Sequence, residues 1–130
     1  MAAPTISSAG INREVHCATA KFVFSLTIAG AYDSTVIIPP KATIIGVYMY
    51  AHVALTNGTN IIANIGPAGG THVDLTPAVI TADLNAVDKQ DSSVVVTPLA
   101  LTAVQGGVIS ITTTGTYNTG VLDVTVCYVV

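Results

Sequence analysis

Short runs rich in valine, isoleucine and threonine are the feature that most constrains how this chain can fold. The 130-residue sequence contains about seven or eight such runs, and Gly or Pro residues separate most of them. Branched side chains suit the pleated, half-buried surface of a sheet, and regularly spaced short strands are typical of two packed antiparallel sheets. The sequence therefore predicts an all-β fold, an antiparallel β-sandwich with at most one short helix.

The runs place the strands at 14–29, 35–39, 42–53, 60–65, 93–99, 100–104, 108–114 and 121–130. Turns are predicted between them at 30–34, 56–59, 66–70, 106–107 and 115–120. Asn57-Gly58 tolerates the positive φ angles of a tight turn, so the strands on either side of it are predicted to pair as a hairpin.

Period-two alternation assigns side chains to faces. On segment 42–53 the odd positions Ile45, Val47 and Met49 suit a core. The even positions Tyr48, Tyr50 and His52 are too aromatic for free solvent and too polar for a core, which favours a surface between subunits. Two other apolar faces are predicted, one with Phe22, Phe24, Leu26 and Ile28, and one with Leu122, Val124, Val126, Tyr128 and Val130.

The domain organisation is one domain with an arm. Residues 1–12 are small, polar and aperiodic and form the predicted N-terminal arm, while residues 13–130 form one β-sandwich domain. An acidic excursion at 71–92 interrupts the strands. Within it, Thr76 followed by Pro77 is a pattern typical of a helix start, so one short helix can lie there.

The charge content predicts association with other protein chains. The sequence is 51% hydrophobic and only 8% charged, whereas ordinary domains carry about 25% charged residues. So few charges leave much of the surface to be covered by other subunits. A net charge of -3 with four scattered basic residues argues against nucleic-acid binding.

Targeting signals are missing from the printed sequence. No apolar run approaches the roughly 20 residues of a membrane span. The start, MAAPTISSAG, has neither the basic nor the apolar region of a secretory signal. We therefore expect no membrane partner and synthesis in a cytoplasm.

No pattern of catalytic or metal-binding residues is present. The three histidines, His16, His52 and His72, are not at metal-ligand spacing, although three copies of one histidine could meet on a three-fold axis. No serine lies in a Gly-x-Ser-x-Gly motif. The acidic set, made up of Asp83, Asn85, Asp88 and Asp91, lacks the glycine and glutamate of a calcium loop. We predict no enzyme activity, no cofactor and no metal.

Cys17 and Cys127 are predicted to be free. Each lies in an apolar strand-like run, where a free cysteine behaves as a small hydrophobic residue. A disulfide between them is the alternative if the two cysteines lie on neighbouring strands.

Loop residues are the candidate contacts for a partner or ligand. Tyr32 and Tyr117 fall in predicted turns and could be exposed, and Asn118 follows Tyr117 in the same segment. An alternative to an assembly protein is therefore a carbohydrate-binding or tail-fibre module, since sugar sites use aromatic platforms.

Three segments resemble a pattern found in small virion proteins of tailed bacteriophages. They are VIIPPKATIIGVYMYAHV, NGTNIIANIG and GVLDVTVCYVV, and the likeness covers residues 36–130. The chain departs from that pattern in having Pro39-Pro40 and a longer acidic middle segment.

The resemblance implies a jelly-roll β-sandwich that assembles as a homotrimer on a phage head. It further implies a capsid decoration, or cement, protein that binds the major capsid protein on the outside of the virion and is made in the host cytoplasm. Tyr48, Tyr50 and His52 would then lie between subunits, and Tyr32, Tyr117 and Asn118 would face the capsid.

Overall fold

A computed structural model describes residues 14–86, 90–91, 99–100 and 106–130 of the chain. These residues form strands β1 His16–Thr27, β2 Gly30–Ile38, β3 Thr43–Asn57, β4 Asn60–Gly66, β5 Val73–Asp74, β6 Val79–Ile80, β7 Gln90–Asp91, β8 Leu99–Ala100, β9 Gly107–Thr114 and β10 Tyr117–Val129. A single 3-10 turn at Thr81–Asp83 is the helical element among them. The predicted arm at 1–12, and most of the predicted strands at 93–99 and 100–104, lie outside the described residues.

Two antiparallel sheets form the domain, which confirms the predicted β-sandwich. The first sheet has the order β1-β10-β3, with the two-residue strands β7 and β8 both pairing with β3. The second sheet has the order β2-β9-β4, with β5 and β6 both pairing with β4. In each sheet a strand from the end of the chain therefore lies between two strands from its beginning.

One hydrophobic core joins the two sheets. The first sheet contributes alternate residues of its three long strands, and β4 and β9 contribute from the second. The buried set includes Phe22, Phe24, Val47, Met49, Ala51, Ile61, Ala63, Ile65, Ile109, Ile111, Leu122, Val124 and Val126. The predicted inward face of β10 is confirmed up to Val126, whereas Val130 is exposed.

β3 changes face near its start, so the prediction that Ile45 lies in the core is wrong. Ile45 is 41% exposed and its neighbour Ile44 is 4% exposed. The pairing with β10 shifts between Gly46 and Ile44, where one strand carries an extra residue. Such a bulge reverses the alternation on one side of it. Val47 and Met49, beyond the bulge, are buried as predicted.

The Asn57-Gly58 turn has the predicted backbone but a different role. Asn57 and Gly58 have φ angles of 60° and 67°, as a primed turn requires. The strands on either side do not pair with each other, because β3 lies in the first sheet and β4 in the second. The predicted hairpin is therefore wrong, and the turn carries the chain between sheets.

Four other sequence predictions need correction. Segment 30–34 begins strand β2 instead of forming a turn, and β10 begins at Tyr117, inside the predicted 115–120 loop. Leu26 and Ile28 are exposed, since Leu26 has a φ of 48° that ends the alternation of β1. Thr76 caps no helix. It is buried, and its hydroxyl accepts a hydrogen bond from the backbone N–H of Ala63.

Cys17 and Cys127 form a disulfide, so the prediction of free cysteines is wrong. The two residues are direct partners in the β1–β10 pairing, with their Cα atoms 4.1 Å apart. The bond joins positions separated by 110 residues in sequence. The sequence left this open because only the pairing of the first strand with the last brings the two thiols together.

Candidate interaction surface

The outer face of the first sheet brings together the residues predicted to lie between subunits. Here "outer face" means the four cross-strand rows Cys17–Cys127–Gly46, Thr19–Thr125–Tyr48, Lys21–Asp123–Tyr50 and Val23–Val121–Val53, together with His52. Tyr48, Tyr50 and His52 all belong to this surface, directed away from the core, as their alternation with Val47 and Met49 predicts.

A histidine–carboxylate pair lies near the centre of the outer face. His52 Nε2 is 2.5 Å from Asp123 Oδ2. The ring of Tyr50 meets the ring of His52 edge-on, with 4.8 Å between ring centroids. The second carboxylate oxygen, Asp123 Oδ1, is buried and has no hydrogen-bond partner among the described residues. Leaving a buried carboxylate oxygen without a partner is costly.

A shallow depression surrounds this pair. It has a volume of about 440 Å³ and is lined by Thr19, Tyr48, Met49, Tyr50, His52, Asp123 and Thr125. Thr19 and Thr125 are linked by a hydrogen bond of 2.8 Å between their hydroxyl oxygens. The depression is bordered by Val23, 68% exposed, and Val53, 47% exposed. Aromatic and aliphatic groups around a few polar atoms are the composition of a protein-binding surface.

A second polar cluster fastens a loop to the second sheet. The Ser110 hydroxyl donates to Asp33 Oδ1 at 2.6 Å, and the backbone N–H of Gly69 donates to Asp33 Oδ2 at 2.9 Å. These two bonds, of which the Ser110 bond has the larger effect, hold the pKa of Asp33 below its ordinary value. His72 Nε2 lies 3.1 Å from Asp33 Oδ1, and His72 Nδ1 lies 2.7 Å from the Gly70 carbonyl oxygen.

The serine, histidine and aspartate of this cluster are not arranged for nucleophilic catalysis. In a hydrolase triad the histidine accepts the serine proton and the aspartate binds the other ring nitrogen. Here one ring nitrogen, His72 Nε2, lies 3.1 Å from both the Ser110 hydroxyl oxygen and Asp33 Oδ1. The Ser110 hydroxyl donates to Asp33, and Ser110 is only 1% exposed. The cluster therefore acts as a clamp that holds the 67–72 loop against β2 and β9. Its members come from three distant segments, and no sequence motif indicated it.

The three predicted contact residues have different environments. Tyr117 is fully buried, with its ring centroid 5.2 Å from that of Phe24 and its hydroxyl 3.2 Å from that of Thr81. The prediction that Tyr117 is exposed is therefore wrong. Tyr32 lies on β2, half-buried, and its hydroxyl donates to the Ile28 carbonyl oxygen at 2.5 Å. Asn118 is half-buried on β10.

The burial of Tyr117 also weakens the carbohydrate-binding alternative. That alternative relied on two exposed loop tyrosines, and only Tyr32 retains any exposure. The two rings do not lie on one surface, because Tyr117 belongs to the core cluster. No aromatic platform forms from this pair.

Metal and membrane features are absent from the described part of the chain. Within residues 14–86, 90–91, 99–100 and 106–130, no group of three or more His, Cys, Asp or Glu side chains is placed to hold a metal ion. Across the same ranges no helix is long and apolar enough to cross a membrane. Of the acidic set, Asp83 and Asn85 are exposed, Asp88 lies outside these ranges, and the Asp91 side chain is not described.

Comparison with known proteins places the fold among phage capsid structures. No family model and no curated protein matches the chain. It is similar to a chain of the acidic stable capsid structure of Helicobacter pylori bacteriophage KHP30, with a TM-score of 0.60, 17% identity, and coverage of 89% of this chain and 87% of that one. It is also similar to a chain of the cyanophage Pam1 capsid asymmetric unit, with a TM-score of 0.56, 23% identity, and coverage of 100% and 92%. This protein shares the fold of both chains over nearly its whole length.

Proposed function

We propose that this protein is a structural virion protein, a homotrimeric capsid decoration protein that binds the outside of a phage head and stabilises it. The observation that carries the proposal is the similarity of fold, over almost the full length of both chains, to chains of two phage capsid structures. The interleaved strand order supports a jelly roll. The three segments that resemble small phage virion proteins support the same role.

The outer face supports association of copies of the chain. It combines Tyr48, Tyr50 and His52 with exposed valines. In the proposed trimer the β3 part of this face, with Tyr48, Tyr50 and His52, lies between subunits. The major capsid protein is the second proposed partner, contacted through Tyr32 and Asn118.

Trimeric assembly would strengthen capsid binding through multivalency. Once one subunit of a rigid trimer has bound, the other two are held close to their own sites on the shell, so their binding is effectively intramolecular. The proposed role needs no catalytic group, cofactor or metal, and it places the mature protein on the virion surface after synthesis in the host cytoplasm.

Two measurements test this proposal. Light scattering behind a sizing column is expected to give three times the chain mass of 13.2 kDa. When the protein is added to heads of the parent phage that lack it, cryo-electron microscopy is expected to show it bound on the outside of the heads. A monomer at micromolar concentration would contradict the trimer, and absence of binding to the heads would contradict the decoration role.

Tyr50→Asp probes the subunit surface within the same experiment. Placing a carboxylate beside Asp123 on the outer face is expected to give monomers or insoluble protein, because like charges at an apolar interface repel and must be desolvated. Ile37→Asp is the matched control, since Ile37 is an exposed aliphatic residue on β2 of the second sheet. A Tyr50→Asp protein that stays a soluble trimer would show that another surface holds the subunits together.

A further inference from the structure

β1 is a long strand, and its edge on the side away from β10 is unpaired among the described residues. It pairs with β10 on one side, and no described strand lies on the other. The pairing runs from His16 to Ser25 without a register shift. An unpaired edge presents backbone N–H and C=O groups that can template another strand.

The structure identifies which backbone N–H and C=O groups of β1 point away from β10. In an antiparallel pair, directly opposite residues without mutual hydrogen bonds have Cα atoms about 4.5 Å apart, against about 5.5 Å for bonded pairs. Cys17 and Cys127 are 4.1 Å apart, so Cys17 belongs to a non-bonded pair. Because the register is continuous, the same holds at Thr19, Lys21 and Val23. The N–H and C=O groups of these four residues therefore point away from β10.

The next residue of this series confirms the direction. The N–H of Ser25 donates to the hydroxyl of Thr27, 3.1 Å away, instead of bonding to β10. The N–H of Ser25 is thereby satisfied within the chain. The open edge consists of residues 17–23, which we call the β1 edge.

The β1 edge lacks the usual protection against strand addition. Proteins protect edges with proline, bulges or several charges, and within 17–23 only Lys21 applies. β2, the corresponding edge strand of the second sheet, is protected: its pairing shifts between Asp33 and Ile37, and the Val36 N–H bonds to the Ser34 hydroxyl. The disulfide at Cys17 also prevents β1 from leaving β10.

A gap with a mixed lining lies beside the β1 edge, between the two sheets. It has a volume of about 280 Å³ and is lined by Lys21, Phe22, Val23, Phe24, Thr27, Tyr32, Asp33 and Ile111. Side chains alternate along a strand. An added strand would therefore place every second side chain in this gap and the others next to Thr19, Lys21 and Val23.

The charge at the β1 edge indicates which strand fits. Lys21 is exposed and forms no ion pair with a described carboxylate. Its cross-strand neighbour Asp123 is paired with His52. A strand with an acidic residue next to Lys21 complements the edge. A second copy of β1 complements it poorly, because antiparallel pairing about Ala20 would bring two Lys21 side chains onto one face without an acid between them.

We propose that the β1 edge is a docking site for an extended segment of the capsid subunit. That segment has small or apolar side chains toward the gap and an acidic residue opposite Lys21, and it extends the first sheet by one strand. The identity of the partner rests on the proposed decoration role, whereas the geometry of the edge does not.

A proline placed on the β1 edge tests the docking. Thr19→Pro removes an outward N–H that β10 does not use, so the sandwich is expected to fold while strand addition is blocked. Thr19→Ala is the matched control, because it also loses the hydroxyl bond to Thr125 but keeps the N–H. On heads of the parent phage that lack this protein, Thr19→Pro is expected to bind about tenfold more weakly than Thr19→Ala. Lys21→Glu is expected to bind more weakly than Lys21→Ala.

Amide hydrogen exchange of the unmodified protein gives a second test that does not depend on folding of a variant. In the isolated protein the amides of Thr19, Lys21 and Val23 are expected to exchange fast and those of Ala20 and Phe22 slowly. On the heads all five are expected to exchange slowly.

The outcomes separate this inference from the proposed function. If the unmodified protein binds heads, but Thr19→Pro binds like Thr19→Ala and the three outward amides stay fast, the decoration role stands and the docking edge is refuted. If the unmodified protein does not bind heads, both are refuted. Outward amides already slow in the isolated protein would show that the edge is covered by this chain or its copies, which also overturns the inference.

Discussion

Tyr117 is the largest fully buried side chain of the domain, and its phenol joins three parts of the structure. Its ring packs against Phe24 of β1, and its hydroxyl meets that of Thr81 in the 3-10 turn. A Cβ atom at Gly58 would lie 2.4 Å from the ring, so the turn between the sheets passes too close for any other residue. Burial raises the pKa of Tyr117, an effect that the Thr81 hydrogen bond partly offsets.

Substitutions at Tyr117 separate its two contributions. Tyr117→Phe keeps the ring and is expected to lower the free energy of unfolding by about 1 kcal/mol through the lost hydrogen bond. Tyr117→Ala leaves a cavity and is expected to cost about 3–5 kcal/mol. Chemical denaturation monitored by circular dichroism measures both. Equal costs for the two variants would contradict the core position of the ring.

Asp33 is expected to make stability depend on acid pH. Its pKa is lower in the folded protein than the ordinary value of 3.8, through the bonds from Ser110 and Gly69. A carboxyl group whose pKa is lower in the folded than in the unfolded protein stabilises the fold at pH values above its unfolded pKa. This stabilisation is lost as the pH falls toward the pKa of the folded state. Melting temperatures from pH 6 to pH 2 should therefore fall less steeply for Asp33→Asn than for the unmodified protein, starting from a lower value.

Asp74→Asn is the control for this titration. Asp74 is also an exposed acid on a strand of the second sheet, β5, where it pairs with Asn64 of β4. No described hydrogen bond or ion pair uses its carboxylate. Its substitution removes an equal charge without breaking a described hydrogen bond, so the difference between the two variants isolates the Asp33 clamp. Identical profiles for Asp33→Asn and Asp74→Asn would show that the clamp does not act through Asp33.

At the scale of elements, β3 shows how much of a strand the sequence could predict. Alternation placed Val47 and Met49 in the core and Tyr48, Tyr50 and His52 on the other side, and the structure agrees. It failed at Ile45, because a bulge depends on the pairing with β10 and leaves no sign in the β3 sequence. The Asn57-Gly58 turn is similar: local chemistry predicted its φ angles, but not whether the flanking strands pair.

The bulge in β3 gives opposite expectations for two aliphatic positions. Met49 is 1% exposed, so Met49→Ala is expected to cost about 2–5 kcal/mol of unfolding free energy. Ile45→Ala, on the exposed side of the bulge, is expected to change it by less than about 1 kcal/mol in the dissociated chain. Denaturant unfolding of both variants checks this, and a large loss for Ile45→Ala would mean that the strand alternates without a bulge.

At the scale of the whole molecule, the first and last long strands close the domain. β1 and β10 pair along almost their full lengths, and the disulfide joins them across 110 residues of sequence. Cross-linking so long a loop restricts the unfolded chain strongly. The ends of the domain are thereby held together at the same edge that we propose as the capsid-docking strand.

Removing the disulfide is expected to destabilise the domain without changing its fold. Cys17→Ser with Cys127→Ser should lower the free energy of unfolding by about 2–5 kcal/mol. The circular dichroism spectrum should stay that of a β-protein, since the β1–β10 hydrogen bonds remain. As a control, both proteins are unfolded with and without reductant. Reductant should lower the stability of the unmodified protein and leave that of the double variant unchanged. A reductant-insensitive unmodified protein would show that the bond does not contribute.

The sequence by itself determined the fold class, the position of most strands, the apolar faces of β3 and β10, and the poverty of charge that points to assembly. These follow from local propensity and from period-two alternation, which act within a few neighbouring residues. Tertiary structure alone decided the pairing of the first strand with the last, which forms the disulfide. It also decided the bulge at Ile45, the burial of Tyr117, the Asp33 clamp and the open edge of β1. Each of these depends on residues far apart in the chain, whose meeting is fixed by the packing of two sheets around one core.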